Sequence, residues 1–355
     1  MRIVLVALTL LLAGPAMAQT TTPGQVLQAT VSQAIRPGVL EFTSRASGLS
    51  IAMNALCRAP SEGTLALVKG QFRQAALAYG RVEFLRIGPL MADNRADRLL
   101  FWPDRRGIGL RQVQAILAEE DASATALDTL RAKSVAVQGF GALEFVLYGT
   151  GAEVLPGPEG EFRCAYGRAV AANIAGIAGE LANGWFAPEG IADHLTAPRA
   201  DYADYRTETE ALEALVGLVS HGMEAVRDVR INPFLPTAER AARPKEALFW
   251  RSGLSFEMIG ANVDGMQRLL DQSGIAGAVD ADHSGLGNSI DFEFRNAARA
   301  LALVTSPVEQ ALADEDQVKA LNYLVIVTGS LQAMVGEQLS AALGLSVGFS
   351  SLDGD

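Results

Sequence analysis

The sequence predicts an all-α protein, and three observations carry that reading. Segments lying between Gly or Pro punctuation repeat apolar residues at spacings of three and four, the period of a helix with one buried face. Sustained alternation of the half-buried strand kind is almost absent. Small and aliphatic residues dominate while aromatics make up only 6% of the chain, a composition suited to closely packed helices.

Nine helices are expected in order. The first two run near 24–58 and 61–86, on either side of Pro60, and a third near 109–119 follows Gly107. The fourth, near 122–148, follows capping chemistry at Asp121 to Thr125. The fifth and sixth lie near 161–184 and 205–229, and the seventh near 245–272. The last two lie near 287–304 and 315–344. Thr237-Ala238-Glu239 also carries helix-start chemistry. Residues 183–204 hold Gly184, Pro188, Gly190 and Pro198 and read as a connection, and 228–244 holds Pro233, Pro236 and Pro244. Long Pro-bearing connections of this kind are where binding surfaces concentrate.

Residues 1–18 read as a signal peptide: Arg2 is a short basic start, Ile3 to Ala13 an apolar run, and Ala16-Met17-Ala18 a cleavage motif, with cleavage expected after Ala18. That run is too short to span a bilayer, so an exported, periplasmic chain is expected. Losing Arg2 leaves 28 basic against 40 acidic side chains, a net charge of −12, which disfavours nucleic acid and anionic membrane surfaces as partners. The mature length exceeds one comfortable core, so two helical-bundle domains are expected: 19–185, a linker at 186–204, and 205–355. Ser47-Gly48-Leu49-Ser50-Ile51-Ala52-Met53 and Ser252-Gly253-Leu254-Ser255-Phe256-Glu257-Met258 share five of seven residues, which leaves internal duplication of the two bundles as an open reading.

Cys57 and Cys164 are the only cysteines, and in an exported chain two thiols more often pair than stay free. The alternative is a pair of buried thiols acting as small apolar residues.

The segment Gly139-Phe140-Gly141-Ala142-Leu143-Glu144 sits in a helix that is apolar nearly all round. It resembles the Gly-x-His-x-x-Glu signature of the imelysin-like family, with Gly141 where the histidine would stand. The resemblance extends along the chain through Glu83 to Leu90 ending in Gly88-Pro89, the Trp102-Pro103-Asp104 turn, Arg163-Cys164-Ala165-Tyr166, the helix from Ser252 to Asp264, and the tail from Gly348 to Asp355. It implies an exported protein of two helical bundles with a pocket at their interface. Members are labelled peptidases, and others are tied to bacterial iron uptake.

A catalytic zinc site needs about three protein ligands and an open position, commonly from His-Glu-x-x-His, which this chain lacks. His194, His221 and His283 lie far apart in sequence, and Gly-x-Ser-x-Gly is absent, so neither zinc nor serine chemistry is favoured. Buried Glu144 must be paired, hydrogen-bonded or metal-bound. A salt bridge to Arg45, Arg86 or Arg251 competes with a role as pocket carboxylate. If a metal binds, oxygen ligands would hold it, Glu144 with Glu83, Asp104 or Asp264, a set suited to iron or another hard divalent cation. Trp102, Asp104 and neighbouring Arg105 are candidate pocket residues, with a plain turn as the alternative. Two glycines as close as Gly139 and Gly141 suggest another backbone approaching there.

The expectation is a binding or accessory protein for metal uptake that engages a small ligand or metal ion and an envelope partner. An envelope metallopeptidase is the alternative.

Overall fold

A computed structural model describes residues 21–346. The expected leader with its cleavage site, and the tail from Gly348 to Asp355, lie outside the described residues. Among the described residues there are helices and no strands.

Nine helices form the frame. Helix α1 runs through Pro23–Ala29, a π-helical stretch Thr30–Ile35, and Arg36–Arg58. It opens on a capping box, in which Thr22 and Gln25 exchange side-chain to backbone hydrogen bonds. Helix α2 is Glu62–Gly80, capped by Ser61. Then come α3 (Ile108–Glu119), α4 (Phe140–Tyr148) and α5 (Glu161–Phe186). Helix α6 is Glu208–Ala225 with a π-helical extension Val226–Ile231, and α7 is Ser255–Ser273. Helix α8 is Leu286–Ala302 and α9 is Glu315–Ala342. By length and composition α9 could cross a membrane; one face packs on α6 and α8 and buries Leu321, Leu324, Val327 and Leu331, while Tyr323 and Ile326 are exposed.

Helices α1, α2 and α5 pack together, as do α6, α8 and α9. Helix α7 lies against α2 and the π-helical part of α1, and the first turns of α1 rest on α6 and α7. The buried apolar side chains form one cluster running from Val26 to Leu345. At its centre Phe42, Phe72, Tyr79 and Phe140 meet Phe249 from the later half, which lies 5.6 Å from Phe72 and 6.5 Å from Phe140 between ring centroids. Cys57, at the end of α1, is bonded to Cys164 in the first turn of α5, with Cα atoms 5.6 Å apart.

Tertiary contacts end several helices earlier than their periodicity suggests. Helix α2 stops at Gly80 because the Arg81 backbone is pressed onto α7: a Cβ on Gly265 would sit 2.1 Å from the Arg81 carbonyl oxygen. The expected 122–148 helix is broken into Ala122–Ala124, Leu127–Arg131, Val135–Val137 and α4. Gly139 is extended there, with its would-be Cβ 2.2 Å from the Leu99 carbonyl oxygen, so the chain cannot carry a side chain or a helix through that point. Helix α7 begins at Ser255, since Phe249 and Gly253 take left-handed backbone and make a tight turn. Thr237 accepts from the Glu239 backbone within a bend rather than opening a helix.

Residues 186–204 carry the short helix Ile191–Thr196, which buries Ala192 and Leu195. The two copies of the Ser-Gly-Leu-Ser echo are not equivalent in backbone: Ser47 to Met53 lies inside α1, whereas Ser252 to Leu254 lies in the turn before α7. The echo therefore gives no support to duplicated halves.

Candidate functional site

Helix α4 is short and buried, and it holds Glu144 in the core at 4% exposure. A carboxylate removed from water needs donors, and the turn before α7 supplies them. Ser252 donates to Glu144 Oε1 from its backbone nitrogen at 2.9 Å and from Oγ at 2.8 Å. Burial pushes the Glu144 pKa upward, opposed by the two Ser252 hydrogen bonds and by the charge of Arg251. The phenol of Tyr148, one turn on, is pushed up to about 12 by burial and then by the Glu144 charge. Arg251 stacks over Trp250 at 4.5 Å and Phe145 at 5.3 Å. Among the described residues, no arginine lies within ion-pairing distance of Glu144. Arg45 donates instead to Gln74 at 2.8 Å, across α1 and α2.

The other proposed metal ligands are engaged elsewhere. Glu83, buried in the turn after α2, accepts from Arg230 and from Asn262, each at 2.8 Å. Asp264 on α7 pairs with Arg81 at 2.7 Å and Arg268 at 3.0 Å. Asp104 caps α3, accepting from the backbone nitrogens of Ile108 at 2.7 Å and Leu110 at 3.2 Å. The structure thus does not gather Glu144, Glu83, Asp104 and Asp264 into one ligand set. No group of three His, Cys, Asp or Glu side chains suited to a metal occurs among the described residues. His194 pairs with Asp204 and His283 with Asp280.

The two glycines of the α4 signature differ. Gly139 is required by the backbone of residues 98 and 99, as its spacing suggested. Gly141 faces open space, with nothing within 4 Å of a Cβ placed on it, so the explanation by backbone approach fails there and a larger residue would fit.

Beside this core lies a cleft of about 950 Å³. One wall is the turn of Trp102, Pro103, Asp104 and Arg105, whose Trp102–Pro103 peptide is cis. The other is built from the 228–246 connection together with Trp250 and Arg251. Trp102, Asp104 and Arg251, all named from the sequence, line this space. Glu144 does not line the cleft, contrary to the expectation of a pocket around it: it is buried in the core and bonded to Ser252, the residue after the cleft-lining Arg251. Reading the sequence missed Ser252 as the partner of Glu144, Arg230 and Asn262 as partners of Glu83, and Arg240 as a cleft residue. The Pro-rich character of 228–244 pointed to the stretch that holds Arg230 and Arg240, and the family resemblance took in the segment with Ser252 and Asn262.

Among solved structures, an imelysin-like protein from Psychrobacter arcticum is similar at 18% identity, with a TM-score of 0.75 over 96% of this chain and 100% of that one. A protein from Parabacteroides distasonis named as an iron-regulated protein A precursor is similar at 15% identity, with a TM-score of 0.68 over 90% of this chain and 97% of that one. These likenesses establish the helical fold. No curated protein matches the sequence. The Imelysin family profile matches residues 41–333, which takes in the α4 signature, both cysteines and both walls of the cleft, and the chain belongs to the imelysin family.

Proposed function

We propose that this is an exported, non-catalytic binding or accessory protein of the imelysin type, serving uptake of iron or another metal. Its ligand site is the cleft between the Trp102 turn and the 228–251 segment. The observation that carries the reading is that cleft: about 950 Å³, walled by aromatic rings and charged side chains from both halves of the chain, which is the size and character of a small-ligand site. The name of the Parabacteroides distasonis protein supports the link to iron, and its description as a precursor supports export. A peptidase would need a converging set of ligands around an activated water. The carboxylates available here are satisfied by Ser252, Arg230, Arg81 and the α3 backbone. An envelope protein would be the natural recipient of the ligand, and the acidic chain disfavours nucleic acid.

The test is metal content of protein purified from the periplasm without chelator, followed by calorimetric titration with ferrous, ferric, zinc and calcium ions. Stoichiometric binding of metal, or of a metal complex, without peptide hydrolysis supports the reading. Cleavage of peptides by purified protein, abolished by chelator, would replace it with the peptidase reading.

A further inference from the structure

The cleft's charge runs against that of the chain. The protein carries a net charge of −11, yet five of the residues lining this space are basic and three acidic. The three carboxylates are already occupied: Asp104 by two backbone N–H groups, Asp228 by Arg227 and Asn232, and Glu246 by Arg243. Among the described residues the remaining four cations, Arg105, Arg240, Lys245 and Arg251, have no carboxylate within ion-pairing distance. Lys245 and Arg251 rest on the Trp250 ring and Arg240 donates only to backbone carbonyls.

Two further donors point the same way. Trp102 Nε1 and Arg240 Nε are buried atoms with no hydrogen-bond partner, and both residues line the cleft. A buried N–H without an acceptor is destabilising, a penalty that an incoming acceptor removes. Acceptors are what a carboxylate offers and what a bare metal cation does not. Trp102 and Trp250, with Pro103, Pro233 and Pro236, add flat apolar walls.

We infer that the cleft binds an organic anion, a carboxylate-bearing molecule with a flat apolar body, whose carboxylate is held by Trp102 Nε1, Arg240 and the unpaired cations at the rim. The inference rests on the cleft being the ligand site proposed above, and narrows it: a metal reaches this site wrapped in carboxylate ligands, not as a free ion. The cleft as built repels cations and attracts their anionic chelates.

Calorimetry on the whole chain without residues 1–18 tests this with probes of matched shape and opposite charge, phthalate and benzoate against benzamidine, with ferric citrate against citrate deciding whether the carboxylates arrive free or around iron. Phthalate or citrate is expected to bind and benzamidine not, with affinity weakening as salt is raised. Trp102→Phe, which removes one donor and keeps the ring, and the paired substitution Arg105→Gln with Lys245→Gln are each expected to weaken anion binding roughly tenfold. Unchanged melting of these variants shows that the fold is intact. If benzamidine or a free metal ion binds and the carboxylates do not, the anion inference is overturned while a binding role survives. If neither anions, chelates nor free ions bind, the inference and the proposed function fall together.

Discussion

Ser252 holds Glu144 through two hydrogen bonds to one oxygen, from its backbone nitrogen at 2.9 Å and its hydroxyl at 2.8 Å, across 108 positions of sequence. The serine therefore does for this buried carboxylate what an arginine would do in a salt bridge, without a second buried charge. Ser252→Ala removes one of the two bonds and is expected to lower stability by about 1–3 kcal/mol. Urea unfolding would measure it, and an unchanged midpoint would show that the backbone bond alone suffices.

The raised pKa of Glu144 has a pH signature. The folded protein holds this proton more tightly than the unfolded chain, so its contribution to stability is fully present below the ordinary carboxylate pKa of about 4.3 and is lost as pH rises through the higher folded value. Glu144→Gln cannot ionise and lacks that loss. The stability of the wild type relative to Glu144→Gln should accordingly fall as pH rises from the ordinary carboxylate range toward neutrality. Denaturant titrations at a series of pH values read this directly, and a constant difference would contradict it.

Gly139 and Gly141 should respond oppositely to a methyl group. Gly139→Ala drives a Cβ into the carbonyl oxygens of Leu99 and Arg98 and is expected to cost about 3 kcal/mol or more. Gly141→Ala meets open space inside the first turn of α4 and is expected to be neutral or stabilising by up to about 1 kcal/mol. Gly141→His should likewise fold. Thermal melts of the three variants settle the contrast.

Arg230→Met leaves Glu83 buried with Asn262 as its remaining side-chain partner and should cost about 3–5 kcal/mol, the usual penalty for stranding one member of a buried pair. Adding Glu83→Gln should recover part of it. A double-mutant cycle showing simple additivity would mean that the pair contributes nothing jointly.

The Cys57–Cys164 bond closes a loop of 107 residues, and replacing both by Ala should lower stability by about 4 kcal/mol through the freedom returned to the unfolded chain. Alkylation without reductant should label no thiol.

The helices were legible because their buried faces repeat locally, although of the expected 122–148 helix only Phe140–Tyr148 is a helix of more than two turns, and the expected 245–272 helix begins at Ser255. Their ends were not, because Gly80, Gly139 and Ser255 mark boundaries set by distant backbone: α7 against Arg81, residues 98 and 99 against Gly139, and the turn at Phe249 and Gly253. For the site, Trp102 and Asp104 were visible as an aromatic-led polar turn and Glu144 as a charge in an apolar helix. Its partner was sought among arginines because buried charge usually finds opposite charge. A serine on a tight turn leaves no periodic trace. Likewise Arg240 and Lys245 look like ordinary loop cations until folding brings them to one cleft wall.

The first turns of α1 bury Val26 and Leu27 completely, and they do so against α6 and α7, whose residues lie some 180 to 250 positions later. A chain made from its N-terminus forward thus produces its opening helix long before the seat for that helix exists. Those apolar residues must wait, covered by something else or by nothing, until residue 273 has arrived. Docking of this early-made helix therefore waits on the synthesis of α6 and α7.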